Sequence, residues 1–224
     1  MKSTGWFINL HKALVIPVTV AAMLTFDNFS TMMWLYLAMH GTYSMLWLIK
    51  GRTYPDRRFA EQVPIWIGIL FVFLPLAGYY AAPILLAWLH PNVPGWAVGL
   101  GVSIFTFGIF LHYVADAQKY YTLQLRPGLI DTGLFARTRN PNYLGEIMTY
   151  MGFAIIAWHW IPFVVNFAWI FGFFIRNMIT KDRSMSRHPG FATYKARTGL
   201  LFPRLLPVRA HSTHQTPRPF LEQR

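Results

Sequence analysis

Two stretches of this chain, Val63 to Leu89 and Val93 to Ala115, contain no Lys, Arg, Asp or Glu. A helix needs about 20 apolar residues to cross a bilayer, and both stretches are long enough. Phe29 to Ile49 is a third uncharged run. Ile147 to Ile175 is a fourth, interrupted by His159-Trp160-Ile161-Pro162, which predicts two shorter helices joined by a tight turn. Ala13 to Phe26 is too short alone, but spans if Lys12 snorkels to the interface and the Trp6–Leu10 stretch joins it. The expected fold class is all-α: a polytopic membrane helical bundle of about six transmembrane helices.

Charge supports this reading and orients it. Only 12% of the residues are charged, about half the share usual in a soluble domain. The net charge of +12 raises the question of a nucleic-acid partner, which the distribution of charge answers. With both termini in the cytoplasm, the inner segments hold Lys2 and Lys12, then Lys50, Arg52, Arg57 and Arg58. Lys119, Arg126, Arg137 and Arg139 follow, and the remaining Lys and Arg fall between Arg176 and Arg224. The outer turns near Asp27-Asn28, at His90–Pro94 and at His159–Pro162 hold none. This is the positive-inside pattern, and it accounts for the basic balance without nucleic acid. Trp88, Trp96, Trp158 and Trp160 cluster at the outer turns as interfacial aromatics do.

Cysteine is absent, which excludes disulfides, thiolate metal sites and a Cys nucleophile; no metal site is expected. No signal peptide and no internal repeat are evident. Residues 1–206 read as a single membrane-embedded domain, and the polar, aperiodic stretch 207–224 as a disordered basic tail.

Chemistry concentrates in Asp116 to Glu146, where Arg126-Pro127-Gly128, Asp131-Thr132-Gly133 and Asn140-Pro141-Asn142 are turn signals. The cations between them, Lys119, Arg126, Arg137 and Arg139, supply donors suited to nucleotide phosphates or a lipid head group. The plainer alternative is a solvated loop touching anionic lipid. Glu146 lies about one turn inside an otherwise uncharged span. A carboxylate costs about 2.5–3.5 kcal/mol at mid-membrane on insertion scales, so a partner is expected there, either a ligand or a structural pair with Arg139 or Arg176. A second polar cluster comprises Arg176, Lys181, Asp182, Arg183, Arg187-His188-Pro189-Gly190-Phe191 and Tyr194. It reads either as a basic segment on the membrane surface or as a flap in which Phe191 and Tyr194 cover a site.

Thr132-Gly133-Leu134-Phe135 followed by Arg139-Asn140-Pro141-Asn142-Tyr143-Leu144-Gly145-Glu146 resembles the signature of the membrane-embedded steroid and sterol reductases. These include the steroid 5-alpha-reductase C-terminal domain and bacterial relatives of unassigned function. Asp116-Ala117-Gln118-Lys119 upstream, and Phe191-Ala192-Thr193-Tyr194 with Pro203 downstream, resemble it too, so the likeness covers about 116–203. Asn140 stands where such relatives often have His.

The resemblance implies an oxidoreductase that uses NADPH, held in a pocket open to the cytoplasm, and acts on a lipophilic substrate in the membrane. Lys119, Arg139, Asn142, Tyr143 and Glu146 carry over as cofactor residues, with Arg176, Lys181, Asp182 and Tyr194 beside them; Arg126 and Arg137 join them as loop cations. No GxGxxG occurs, so the cofactor site is not a Rossmann one. Hydride transfer to an activated C=C bond of a steroid-like or other enone lipid also needs a proton donor in a dry cavity. His40 and Tyr43 share a face of the second span, Tyr79 lies in the third, and Glu61 stands at the start of the third. Tyr80, His112 and Tyr113 are further candidates. Glu61-Gln62-Val63-Pro64 has its acid in a different order from the Gln-Glu-Leu-Pro-like motif of the 5-alpha-reductases.

Two other readings compete. Isoprenylcysteine and phospholipid methyltransferases of the same superfamily share an Arg-His-Pro-x-Tyr-x-Gly turn but use S-adenosylmethionine. A non-enzymatic lipid-binding or transport subunit is the other. The expected location is a membrane, with the bacterial inner membrane favoured and the cofactor site facing the cytoplasm; substrate, stereochemistry and oligomeric state stay open.

Overall fold

A computed structural model describes residues 1–204, so the tail expected over 207–224 lies outside the described residues. Six long helical segments follow one another: α1 (Thr4–Thr25), α2 (Thr31–Thr53), α3 (Ile65–Leu89), α4 (Gly95–Leu125), α5 (Pro141–Ala157) and α6 (Trp160–Met185). A short helix, α7 (Phe191–Arg197), comes last. The one sheet among the described residues is a two-residue pairing of β1 (Lys2–Ser3) with β2 (Gln62–Val63).

Four of the helices, α1, α3, α4 and α6, are long and apolar enough to cross a membrane. Large apolar side chains project from them without cover, among them Phe71 at 69% exposure, Phe107 at 64% and Phe171 at 66%. Surface of that kind belongs against lipid. The chain is an all-helical integral membrane protein. α2 and α5 complete the bundle, and most of the seventeen residues of α5 are buried.

The first helix is a full one of 22 residues, begun by Ser3, whose Oγ accepts from Trp6 N at 3.2 Å. Lys12 does not snorkel: it is 2% exposed. The fourth uncharged run divides as its interruption predicts, with α5 ending at Trp158 and His159 Nδ1 accepting from Ile161 N at 3.2 Å to start α6. The only non-glycine residues with positive φ among the described residues are Asp27, His90 and Trp158. One stands in each of the three cation-free turns, where a left-handed residue stops a helix sharply. Asn28 then donates to the carbonyls of Leu86 and Ala87 at 3.1 Å, satisfying acceptors at the end of α3.

Two irregularities shape the helices around the interior. α3 passes through a π-helical turn, Ile69–Phe73, and a 3₁₀ turn, Gly78–Tyr80. Pro75 and Pro83 lack an N–H, which leaves the carbonyls of Phe71 and Tyr79 without their usual donors. α6 contains a second π-helical turn, Ile170–Phe174. At 31 residues, α4 is about 46 Å long, so it overruns the roughly 30 Å hydrocarbon layer and carries Asp116, Gln118 and Lys119 towards the basic end.

Candidate functional site

α4 and α5 pack through glycines at a spacing of seven. A Cβ on Gly108 would meet Thr149 N at 2.6 Å, and one on Gly152 would meet Gly101 O at 2.8 Å. A Cβ on Gly145 would press on the backbone N of His112. Small residues let two helices approach to backbone contact, and that approach orients the rest of α5. Asn142, Glu146 and Tyr150, spaced four apart, fall on one face and mark about 12 Å of helix from the basic end inward.

This face lines a cavity of about 800 Å³, within the range of small-molecule sites of about 300–1,000 Å³. α1 contributes Lys12, α2 Trp47 and Lys50, α3 Tyr79, α4 His112 and Asp116, and α6 Trp169 and Phe174. Arg58 and Glu61 stand on its loop side. Phe71 and Phe173, from the two π-helical turns, line the same cavity while 69% and 49% exposed. The wall between α3 and α6 therefore separates the cavity from lipid by single side chains.

The polar groups are held from several directions. The Asn142 carbonyl lies 3.2 Å from His112 Nδ1, while Asn142 Oδ1 is buried without a partner. Arg58 Nη1 approaches Tyr143 Oη at 3.5 Å, and the Tyr143 ring packs on Phe174. Lys50 and Asp116 form a buried ion pair that, with Asp56, borders both this cavity and a second of about 270 Å³. Lys119 lines the smaller one.

Asp56 lies 3.6 Å from the Lys119 ammonium and 3.2 Å from the Arg58 guanidinium. Burial would raise its carboxyl, but the two cations outweigh burial and bring it down to about 2. The folded value lies below the ordinary one, so this contribution to stability is complete above about pH 4 and is lost as pH falls through 2. The gap in thermal midpoint between the parent and Asp56→Asn is expected to be the same at pH 7 and pH 5; closure of the gap by pH 5 would refute the assignment.

Apart from Lys119, the residues expected to form the site divide into four groups. Tyr79, Glu61, Asn142, Tyr143 and Glu146 come together on the large cavity. His40 and Tyr43 lie buried behind its wall, their rings near those of Tyr150 and Phe153. Arg139, Lys181, Asp182 and Tyr194 build a separate buried staple. Arg139 pairs with Asp182 at 2.9 Å and donates to Thr198 O at 2.8 Å. Lys181 donates to the Arg139 carbonyl at 2.9 Å and to Asn140 Oδ1 at 3.0 Å. Tyr194 donates to the Phe135 carbonyl at 2.9 Å, and burial pushes its phenol up to about 12. Tyr194 thus packs on the Gly133–Ala136 turn, with the Phe191 ring 6.4 Å from its own, and neither residue lines the cavity. Arg126, Arg137 and Arg176 are exposed. Among the described residues Glu146 forms no ion pair with Arg139 or Arg176.

Sequence reasoning did not assign roles at the cavity to Lys12, Lys50, Arg58 or Tyr150. A lone Lys inside the first apolar segment was a signal for one of them; the partners of the others lie too far along the chain to read.

A family model described as "Protein of unknown function (DUF1295)" matches residues 30–198. An uncharacterized protein of Schizosaccharomyces pombe is 27% identical over 184 residues, 66% of this chain and 54% of its own length. The 3-oxo-5-alpha-steroid 4-dehydrogenase 2 of Homo sapiens is 26% identical over 170 residues, 69% of this chain and 62% of its own. The steroid 5-alpha-reductase DET2 of Solanum lycopersicum is 38% identical over 64 residues, 28% of this chain and 25% of its own. The chain therefore spans less than two thirds of the length of each. No solved structure matches it.

Proposed function

From the premise that this chain belongs to the family described as Protein of unknown function (DUF1295), we propose that it is a membrane reductase that transfers a hydride from NADPH to an activated C=C bond of a steroid-like or other enone lipid. The observation that carries this reading is the single cavity face on which Asn142, Tyr143 and Glu146 meet an apolar, lipid-adjacent wall. The likeness to two named steroid reductases supports it.

The residues fit the cofactor. Asn142 Oδ1 is a buried acceptor without a donor, suited to a carboxamide N–H₂. The Arg58 guanidinium and Lys119 ammonium offer charge to phosphates at the basic end. Asn142, Tyr143, Glu146 and Arg58 would hold the group, which supplies a hydride when bound. Trp169, Phe174 and Tyr79 would exclude water from the substrate. Phe71 and Phe173 would face the route by which a lipophilic molecule arrives. The six helices would all span, with both termini and the cofactor end in the cytoplasm, a reading that the cation-free turns support.

Detergent-solubilised protein is expected to gain thermal stability with NADPH and none with S-adenosylmethionine. A ligand at a hundredfold excess over Kd adds about 2.7 kcal/mol. Glu146→Gln and Tyr143→Phe are expected to weaken NADPH at least tenfold while the unliganded melting temperature stays close to the parent's. Unchanged affinity in both variants would remove the cofactor assignment, and a shift with S-adenosylmethionine alone would replace the reductase by a methyltransferase.

A further inference from the structure

The inner end of the cavity holds a pair that cofactor binding leaves without work. The Lys12 ammonium donates to Tyr150 Oη at 2.6 Å, and both residues are 2% exposed. The same ammonium lies 4.2 Å over the Tyr43 ring and 5.4 Å over that of Trp47. Among the described residues it forms no ion pair with a carboxylate. Burying a cation is costly, and packing alone does not require one, since Met would fill the same space.

The surroundings select Tyr150 from the phenols nearby. Tyr43 Oη and Tyr79 Oη are buried without partners. Tyr150 alone among these three accepts from a cation, and it also lines the cavity. A phenol that accepts from an ammonium keeps its own O–H to donate, and the ammonium stabilises the phenolate left behind. Tyr79 stacks on the Tyr150 ring with centroids 3.7 Å apart and planes 17° off parallel, which holds the ring and its C–O bond in place.

We propose that Tyr150 is the proton donor to the substrate carbonyl in this cavity, with Lys12 as the positioning residue that stabilises and reprotonates it. The proposal rests on the reductase reading. In the balanced step a hydride, with its electron pair, forms a C–H bond at the β carbon of the enone, and the reduced nicotinamide that supplies it is oxidised. The C=C pair moves towards the carbonyl, whose oxygen takes the Tyr150 proton. Lys12 passes a proton to the phenolate and is itself reprotonated from solvent before the next turnover. The enol tautomerises to the saturated ketone, so that one hydride and one proton have been added across C=C.

The test uses 2-naphthol, a planar phenol whose oxygen stands in for that of the enol and whose ionisation is read from its absorbance. The protein in detergent, without cofactor, is expected to bind it at least tenfold more tightly than Lys12→Met or Tyr150→Phe. Equal affinity in all three, or no binding by the parent, overturns the proposal. Turnover provides a second readout. Both variants are expected to lose about 10²–10³-fold in kcat, the scale of general acid catalysis, with KM little changed and NADPH affinity retained. Lys12→Arg is expected to recover part of the loss, which a space-filling role would not produce. NADPH binding with kcat unchanged in both variants sinks the pair and leaves the reductase intact. If the parent binds no NADPH, the reductase reading falls, and the difference in naphthol binding still decides whether Lys12 and Tyr150 form an anion-stabilising pair.

Discussion

Gly145→Val is expected to destabilise the protein by at least about 3 kcal/mol, at or beyond the upper end of the usual cost of overpacking. A side chain there would press on the backbone N of His112 and approach the Gly108 carbonyl at 2.6 Å. Backbone cannot move aside as a flexible side chain does, so α4 and α5 would have to separate. Asn142, Glu146 and Tyr150 would leave the cavity with α5. The control is Gly99→Val on the exposed face of α4, where an added Cβ meets nothing within 4 Å. Thermal unfolding in detergent should show a large loss for Gly145→Val and almost none for Gly99→Val. Similar midpoints for the two would contradict the close approach of these helices.

An effect of comparable size is expected from the Lys50–Asp116 pair. Lys50 is 5% exposed and Asp116 9%. Removing one member leaves a buried charge without its counter-ion, which costs about 3–5 kcal/mol. Lys50→Met and Asp116→Leu are each expected to lose stability on that scale. The double variant should recover most of it, because an apolar pair removes both desolvation penalties. Additive losses in the double variant would show that the two side chains act separately. The pair borders both cavities, so the double variant also tests whether charge in their shared wall matters to ligand affinity.

The helices were legible because lipid imposes a simple rule on sequence. Runs without charge must be helical, and the division at His159–Pro162 follows from residues that stop helices. Glu146 stood out for a similar reason, since a carboxylate one turn inside an apolar span calls for a partner, whereas Asn142 and Tyr143 were singled out by the resemblance; the structure puts all three on the large cavity. Lys12 was misread as snorkelling because its partner, Tyr150, is 138 positions away. Local pattern carries no information about a contact of that separation. Arg139 likewise depends on distant partners. Its place in the signature suggests a ligand contact, whereas its guanidinium is consumed by Asp182 and Thr198, 43 and 59 positions later. Gly145 belongs to the same signature, and its reason is steric.

The staple around Arg139 has a bearing on biosynthesis. Residues 137–140 are held by backbone bonds between Arg139 N and Gly199 O at 2.9 Å and between Gly199 N and Arg137 O at 3.1 Å. Thr138 Oγ1 and Asn140 Nδ2 add bonds to the carbonyls of Leu201 and Leu200. These four residues lead directly into α5, the helix that carries the face of the cavity. Until the stretch after α6 has been made and released, the start of α5 lacks its anchor. Assembly in the membrane is then a two-stage event: insertion of helices first, and closure of the site only when residues near 200 have left the exit tunnel.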